Sequence, residues 1–453
     1  MATTPTNNRG TWNSKLGFIL AAAGSAVGLG NIWRFPTEAA SNGGAAFLIV
    51  YLICVFLIGL PVMIAELSIG RSSQKNPVGA FRSLSSNKFF PFVGLWGVLC
   101  GVMILSFYTV IAGWTFSHVF VEIFVFAGMD GVAETLANIE NGYVNAAFAI
   151  LFMGCTVGII RGGVSAGIER ATKFMMPMLI LILVAMATYV LFQPGAEEGV
   201  VAYLKPDFSM INSQLVLAAM GQAFFSLSLG MGALITYGSY LSKKENIAEA
   251  ATYVTLADVG IAFLAGLLIM PTMYLAQAQG VEIFDAEGNF LAGPALIFQI
   301  LPELFAQLGG LLGLIFGVMF FLLLSIAALT STISLLEVPV SYVIDEHSVE
   351  RKKAALWVGT GILVISLIIS FNTILIDYID FTFSVIGLPL GGLFICIFVG
   401  YVWKTTNAID EMKQGFKDIR NTVFTTVWSV FIKFICPVII FLILLRTLYT
   451  QLF

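Results

Sequence analysis

Two short runs of glycine and small polar residues interrupt almost wholly apolar sequence: Gly24-Ser25-Ala26-Val27-Gly28-Leu29-Gly30-Asn31 and Ser226-Leu227-Ser228-Leu229-Gly230-Met231-Gly232. A helix broken there frees amides and carbonyls that line a cavity or coordinate a solute. Three carboxylic acids, Glu66, Asp258 and Glu337, also lie inside apolar stretches. Such acids are costly in lipid unless they are paired or used. The chemistry these groups can do is recognition by backbone dipoles, hydroxyls and carboxylate oxygens. Bond-making chemistry has little to work with, since the chain has two histidines, His118 and His347, and no nucleophile or phosphate-loop signature. An enzyme is therefore not expected. Close helix packing through small residues explains one such run well. Two runs in matching positions, flanked by intramembrane polar residues, are better explained as two broken spans.

The elements that must position them are membrane helices. Of 453 residues 58% are hydrophobic and 11% charged, against roughly 25% charged in an ordinary soluble domain. A span needs about 20 mostly apolar residues, and charge clusters and Gly/Pro/Asn runs cut the chain into eleven helices. These are expected at 15–40, 43–70, 90–124, 143–160, 167–192, 213–240, 249–277, 309–346, 352–372, 374–404 and 423–450, numbered here helix 1 to helix 11. With the N-terminus cytoplasmic, cytoplasmic segments hold 18 of the 22 Lys and Arg residues, which is the bias that sets orientation in a cell membrane. The broken helices 1 and 6 are five apart, so the second set of five is inverted relative to the first, as in 5+5 inverted-repeat transporters. Residues 1–14 then form a cytoplasmic tail, 15–404 a ten-helix transport core and 423–450 an additional helix. The five cysteines fall in apolar stretches without metal-site spacing and are expected as buried hydrophobes. The net charge of −4, with no rich basic patch, excludes nucleic acid as a partner. No removable signal peptide is expected. A channel would need a continuous polar pore, whereas the polar groups here are isolated clusters.

The motif GSAVGLGNIWRFP (Gly24 to Pro36) resembles the first-helix signature of the neurotransmitter:sodium symporter family, and GQAFFSLSLGMG (Gly221 to Gly232) resembles its sixth-helix signature. NGGAAF after helix 1, GIER before helix 5 and LTSTIS in helix 8 extend the resemblance over nearly the whole chain. It implies sodium-coupled symport by alternating access. Many relatives have a twelfth helix, and the chain stops after the eleventh, which leaves the oligomeric state open.

A zwitterionic amino acid needs a dipolar partner for its carboxylate and acceptors for its ammonium group. The amides near Leu29 and Gly30 supply the first with a helix dipole behind them, and freed carbonyls at Ala26, Phe225, Ser226 and Ser228 supply the second. The resemblance adds the Tyr108 hydroxyl at the carboxylate. Sodium takes oxygen ligands, and the resemblance implies one ion among Ala26, Asn31, Ser226 and Asp258, with a second among Gly24, Val27, Ala327, Thr330 and Ser331. Asp258 is chosen over its neighbour Ala257 because only its side chain can be a ligand. Glu66 and Glu337 are expected to form structural hydrogen bonds. The side-chain pocket is lined by Ile104, Tyr108, Phe225, Ser228, Met231, Ser331 and Leu335, which is mostly apolar and without fixed charge. The resemblance further implies an outer gate of Arg34 and Asp380 above Tyr108 and Phe225, and an inner gate of Arg9 and Asp345 helped by Trp12. Gly167 and Pro177 could let helix 5 unwind at its cytoplasmic end. Chloride-dependent relatives place the anion near positions matching Tyr51, Gln222 and Ser226, with a serine one turn beyond Asp258. Ala262 stands there, and Asp258 already supplies a negative charge, so chloride is not expected.

Overall fold

The computed structural model describes residues 10–278, 280, 297–298, 301–416 and 423–452. Among the described residues nine helices are long and apolar enough to cross a membrane. The halves of helix 1, Lys15–Ala26 and Gly30–Ser41, form a tenth span bent by 55°. Helix 6 completes the set of eleven as Ser213–Ser226 and Ala233–Gly238, with Leu227 to Gly232 between them. The unbroken spans are helix 2 (Ala45–Ser73), helix 3 (Phe90–Phe126), helix 4 (Gly142–Arg161), helix 5 (Val164–Leu191), helix 7 (Ile247–Ala278), helix 8 (Gly310–His347), helix 9 (Arg351–Ser370), helix 10 (Ile374–Val402) and helix 11 (Val423–Tyr449). The chain is thus an all-α membrane protein built on the 5+5 plan, with ends within a few residues of those expected.

Local sequence explains where the helices start and break. Ser14, Asn141 and Asn212 cap helices 1, 4 and 6 by accepting from amides in the first turn. In helix 6 the backbone turns left-handed at Ser228 (φ 54°), Gly230 (φ 85°) and Gly232 (φ 78°). Gly230 has no alternative residue, because a Cβ there would also meet the helix 10 backbone.

Helix 3 lies along helix 8, and the first half of helix 1 is enclosed by helices 5, 7 and 8. Two-thirds of the apolar window of helices 2 and 3 (67% each) is buried, against 33% for helix 11, so helix 11 is peripheral. Among the described residues five segments expected as loops hold short helices, Pro77–Leu84, Asp130–Ala137, Ala196–Leu204, Leu301–Gln307 and Thr405–Lys413. None has the length of a span, so span length and hydropathy do not reveal them. The last is clamped to helix 2. Buried Arg71 meets Glu411 at 2.7 Å and also bonds the Glu245 and Glu411 carbonyls, and Lys243 joins the same carboxylate at 3.0 Å.

Candidate binding site between the broken helices

Several of the groups freed by the break in helix 1 have partners. The Gly28 amide donates to Asn31 Oδ1 (3.1 Å) and the Leu29 amide to the Tyr108 hydroxyl (3.0 Å). The Ser25 carbonyl accepts from Ser228 Oγ (2.8 Å), and the Gly30 carbonyl from Gln222 Nε2 (2.9 Å). The Val27 carbonyl accepts from Thr330 Oγ1 (3.3 Å) and Ser331 Oγ (3.5 Å). Helix 6 is braced in turn by Glu66, which accepts from the Gly230 amide at 2.7 Å. The breaks are therefore built features, braced from helices 2, 3 and 8 as well as by each other, while Ser25 Oγ, Glu66 Oε2 and Gln222 Oε1 stay buried without a hydrogen-bond partner among the described residues.

Two oxygen-rich clusters result. In the first, Asp258 is fully buried and takes hydrogen bonds from three side chains. Asn31 Nδ2 donates to Oδ1 at 2.7 Å, Ser226 Oγ lies 2.8 and 3.0 Å from the two oxygens, and the Tyr51 hydroxyl donates to Oδ2 at 3.2 Å. Ala257 is half-buried and Asp258 turns inward. Asn31 thus offers its nitrogen to the acid and its oxygen to the Gly28 amide, and half a turn about Cβ–Cγ would exchange the two. In the second cluster Thr330 Oγ1 also donates to the Ala327 carbonyl (2.9 Å), and a Cβ on Gly24 would lie 3.2 Å from Thr330 Cβ. Both donor sets consist of carbonyl, hydroxyl, amide and carboxylate oxygens, which fit a hard cation.

Between the clusters lies a cavity of about 30 Å³. It brings together Ala26, Gly30, Ile104, Tyr108, Phe225, Ser228, Met231, Ser331 and Leu335 from the expected set. Ser226 is absent from the lining because its hydroxyl faces Asp258, and Leu29 lines the space above. Ser25, Gly28, Ser334 and Leu388 line the cavity too and were not expected. The first two belong to the helix 1 run, and Ser334 follows Ser331 by one turn. Leu388 carried no sequence signal, being one leucine in an apolar helix. The cavity is small, and Phe225 lines both it and the space above.

Above it, Phe225, Tyr108, Gly30 and Leu29 form the floor of a vestibule of about 180 Å³ that Arg34 and Asp380 also line. These two residues face the same space without forming an ion pair in this conformation. The Arg34 guanidinium is instead drawn over the Phe225 ring, 5.0 Å from its centroid, with Glu38 at 3.9 Å. At the opposite end the chain is packed. Trp12 donates to the Tyr237 carbonyl (3.1 Å) and meets Phe18, Tyr237 and Tyr240 edge-on. Asp345 accepts from the Asn76 amide and side chain (2.7 and 3.1 Å), while Arg9, its expected partner, lies outside the described residues. Buried Glu337 pairs with Arg351 and accepts from the Tyr240 hydroxyl, at 2.8 and 2.6 Å. Glu169, which the sequence showed within the GIER motif but without a role, accepts from the Asn13 amide (2.7 Å), Ser14 Oγ (2.9 Å) and Lys173 (2.6 Å), tying helix 5 to the start of helix 1. Helix 5 is wound through both Gly167 and Pro177.

The chain matches the family model described as the sodium:neurotransmitter symporter family over residues 9–127 and 130–452. A sodium-dependent transporter of Haemophilus influenzae is 33% identical, with 99% of this chain and 100% of the relative covered. The sodium-dependent transporter YhdH of Bacillus subtilis is 32% identical over 96% of this chain and 97% of its own length. The crystal structure of MhsT in complex with L-phenylalanine is 41% identical, superposes with a TM-score of 0.84, and covers 97% of this chain and 100% of its own.

Proposed function

The chain belongs to the sodium:neurotransmitter symporter family, and from that premise we propose that it carries neutral hydrophobic amino acids, large and aromatic ones included, together with two sodium ions. The observation that carries this reading is the cavity itself, which has backbone and hydroxyl groups at the helix breaks and apolar walls at Ile104, Met231 and Leu335. A zwitterion finds partners for both charged ends there, and a charged side chain would find none. The likeness to MhsT, solved with L-phenylalanine, supports the same substrate class.

The substrate carboxylate meets the Leu29 and Gly30 amides and the Tyr108 hydroxyl, and its ammonium group meets carbonyls at Ala26, Phe225, Ser226 and Ser228. One sodium ion takes oxygens from Ala26, Asn31, Ser226, Asp258 and the substrate carboxylate. The other takes Gly24, Val27, Ala327, Thr330 and Ser331. A shared carboxylate makes substrate and sodium affinities rise together, which is what coupling requires. Chloride is not needed, because Asp258 already draws the hydroxyls of Tyr51 and Ser226 that the anion would use. Alternating access opens the outer gate, Arg34 and Asp380 over Phe225, while the inner gate, Arg9 and Asp345 with Trp12, is shut, and then reverses them. The N-terminus is cytoplasmic, residues 15–404 form the transport core and helix 11 lies outside it. Binding of labelled leucine to the purified protein tests the substrate class. Displacement in sodium by phenylalanine, tryptophan and leucine, and not by lysine or glutamate, is the expected result. Preference for lysine, glutamate or glycine would overturn it.

A further inference from the structure

We propose that Leu388 of helix 10 sets the upper size limit of the transported molecule. The inference rests on reading the cavity as a pocket for hydrophobic amino acids, and it identifies which wall stops the side chain. Leu388 is 1% exposed and lines the cavity beside Met231 and Leu335. It reaches there because of its setting, Gly387-Leu388-Pro389-Leu390-Gly391-Gly392. A Cβ on Gly230, at the break of helix 6, would lie 3.0 Å from the Gly392 nitrogen and closer still to the Leu388 carbonyl. A Cβ on Gly391 would in turn strike the Gly230 backbone. On the other flank a Cβ on Gly387 would lie 3.0 Å from Cys100 Sγ of helix 3. Helix 10 is thus wedged backbone-to-backbone against helix 6 and tightly against helix 3, and from this turn Leu388 lines the cavity.

The two neighbouring walls differ in compliance. Met231 is a flexible thioether between glycines at φ 85° and 78°, so it can make way for bulk. Leu388 is branched and stands on a backbone that is pinned by Gly230 and by the Trp96 indole, which donates to the Gly387 carbonyl at 3.1 Å. What Met231 yields, Leu388 limits.

The test is displacement of labelled leucine from the full-length purified protein, in sodium, by alanine, leucine, phenylalanine and tryptophan. A single methylene in an apolar pocket shifts discrimination by roughly tenfold or more. Leu388→Ala and the milder Leu388→Val should therefore raise the tryptophan-to-alanine affinity ratio, by about tenfold for Ala, and Leu388→Phe should lower it by a similar factor. If Leu388→Ala binds nothing, Leu388→Val decides, since its ratio either shifts upward or does not. An unshifted ratio in both Leu388→Val and Leu388→Phe, with affinities for all four ligands changing in parallel, would overturn the proposal. Failure of the wild-type protein to bind any amino acid with sodium dependence would instead overturn the functional reading, and it is seen before any variant is compared.

Discussion

Two side chains carry most of the chemistry proposed for the site. The Tyr108 hydroxyl stands 3.0 Å from the Leu29 amide, at the end of the helix 1 break. Tyr108→Phe keeps the ring and removes one donor, and a hydrogen bond to a charged group is worth about 1.5–3 kcal/mol. Equilibrium binding should weaken by roughly tenfold or more, and unchanged affinity would remove the carboxylate role. Asp258 draws Tyr51, Ser226 and Asn31 onto itself. Substituting gluconate for chloride should leave wild-type uptake intact, while Asp258→Asn should abolish uptake or make it respond to chloride. Collapse of wild-type uptake without chloride would show the assigned role to be wrong. The sequence made both residues visible, Asp258 as an isolated acid in an apolar run and Tyr108 through the family resemblance. It left Leu388 hidden, because what distinguishes that leucine is where Gly230 and Gly391 let two backbones meet, and spacing within one helix does not encode contact with another.

At the scale of elements, the breaks in helices 1 and 6 were legible as glycine and small polar runs, because few other residues are tolerated where a ladder opens in lipid. The partners that hold them were less so. Glu66 was visible as an intramembrane acid, but its contact with Gly230 depends on how helix 2 packs. Glu169 stands in the GIER motif, but its role was hidden because, at the edge of a span among Arg161, Arg170 and Lys173, it looks like one more charge near the membrane surface. Its bonds to Asn13 and Ser14 hold the start of helix 1 against helix 5, so releasing them should favour opening at that end. Glu169→Gln keeps the shape and removes the charge. Charged hydrogen bonds are worth about 1.5–3 kcal/mol each, so labelling of Thr236→Cys, buried in the inner half of helix 6, should speed up by about tenfold or more for a reagent applied on the Trp12 side. Equal labelling rates with Glu169 intact and with the Glu169→Gln substitution, each in the Thr236→Cys background, would deny the latch.

The molecule as a whole has an asymmetric shape. A vestibule of about 180 Å³ opens above Phe225 at one end, with Arg34 and Asp380 apart, while Trp12, Tyr237 and Tyr240 are packed together at the other. Under the proposed topology this is an outward-facing form. Its cavity is small, about 30 Å³, and Phe225 lines both it and the vestibule, so Phe225 is the side chain whose movement would join the two for binding, followed by closure. Such a cycle stores nothing by itself, and in the proposed function concentration of substrate comes from the sodium gradient through the shared carboxylate. The most direct measurement is uptake of labelled leucine by proteoliposomes holding the purified protein, with sodium outside and potassium inside. Sodium-coupled symport predicts accumulation above the external concentration, lost when the sodium gradient is collapsed or when potassium replaces sodium outside. Uptake that merely equilibrates, or that proceeds equally in potassium, would contradict it.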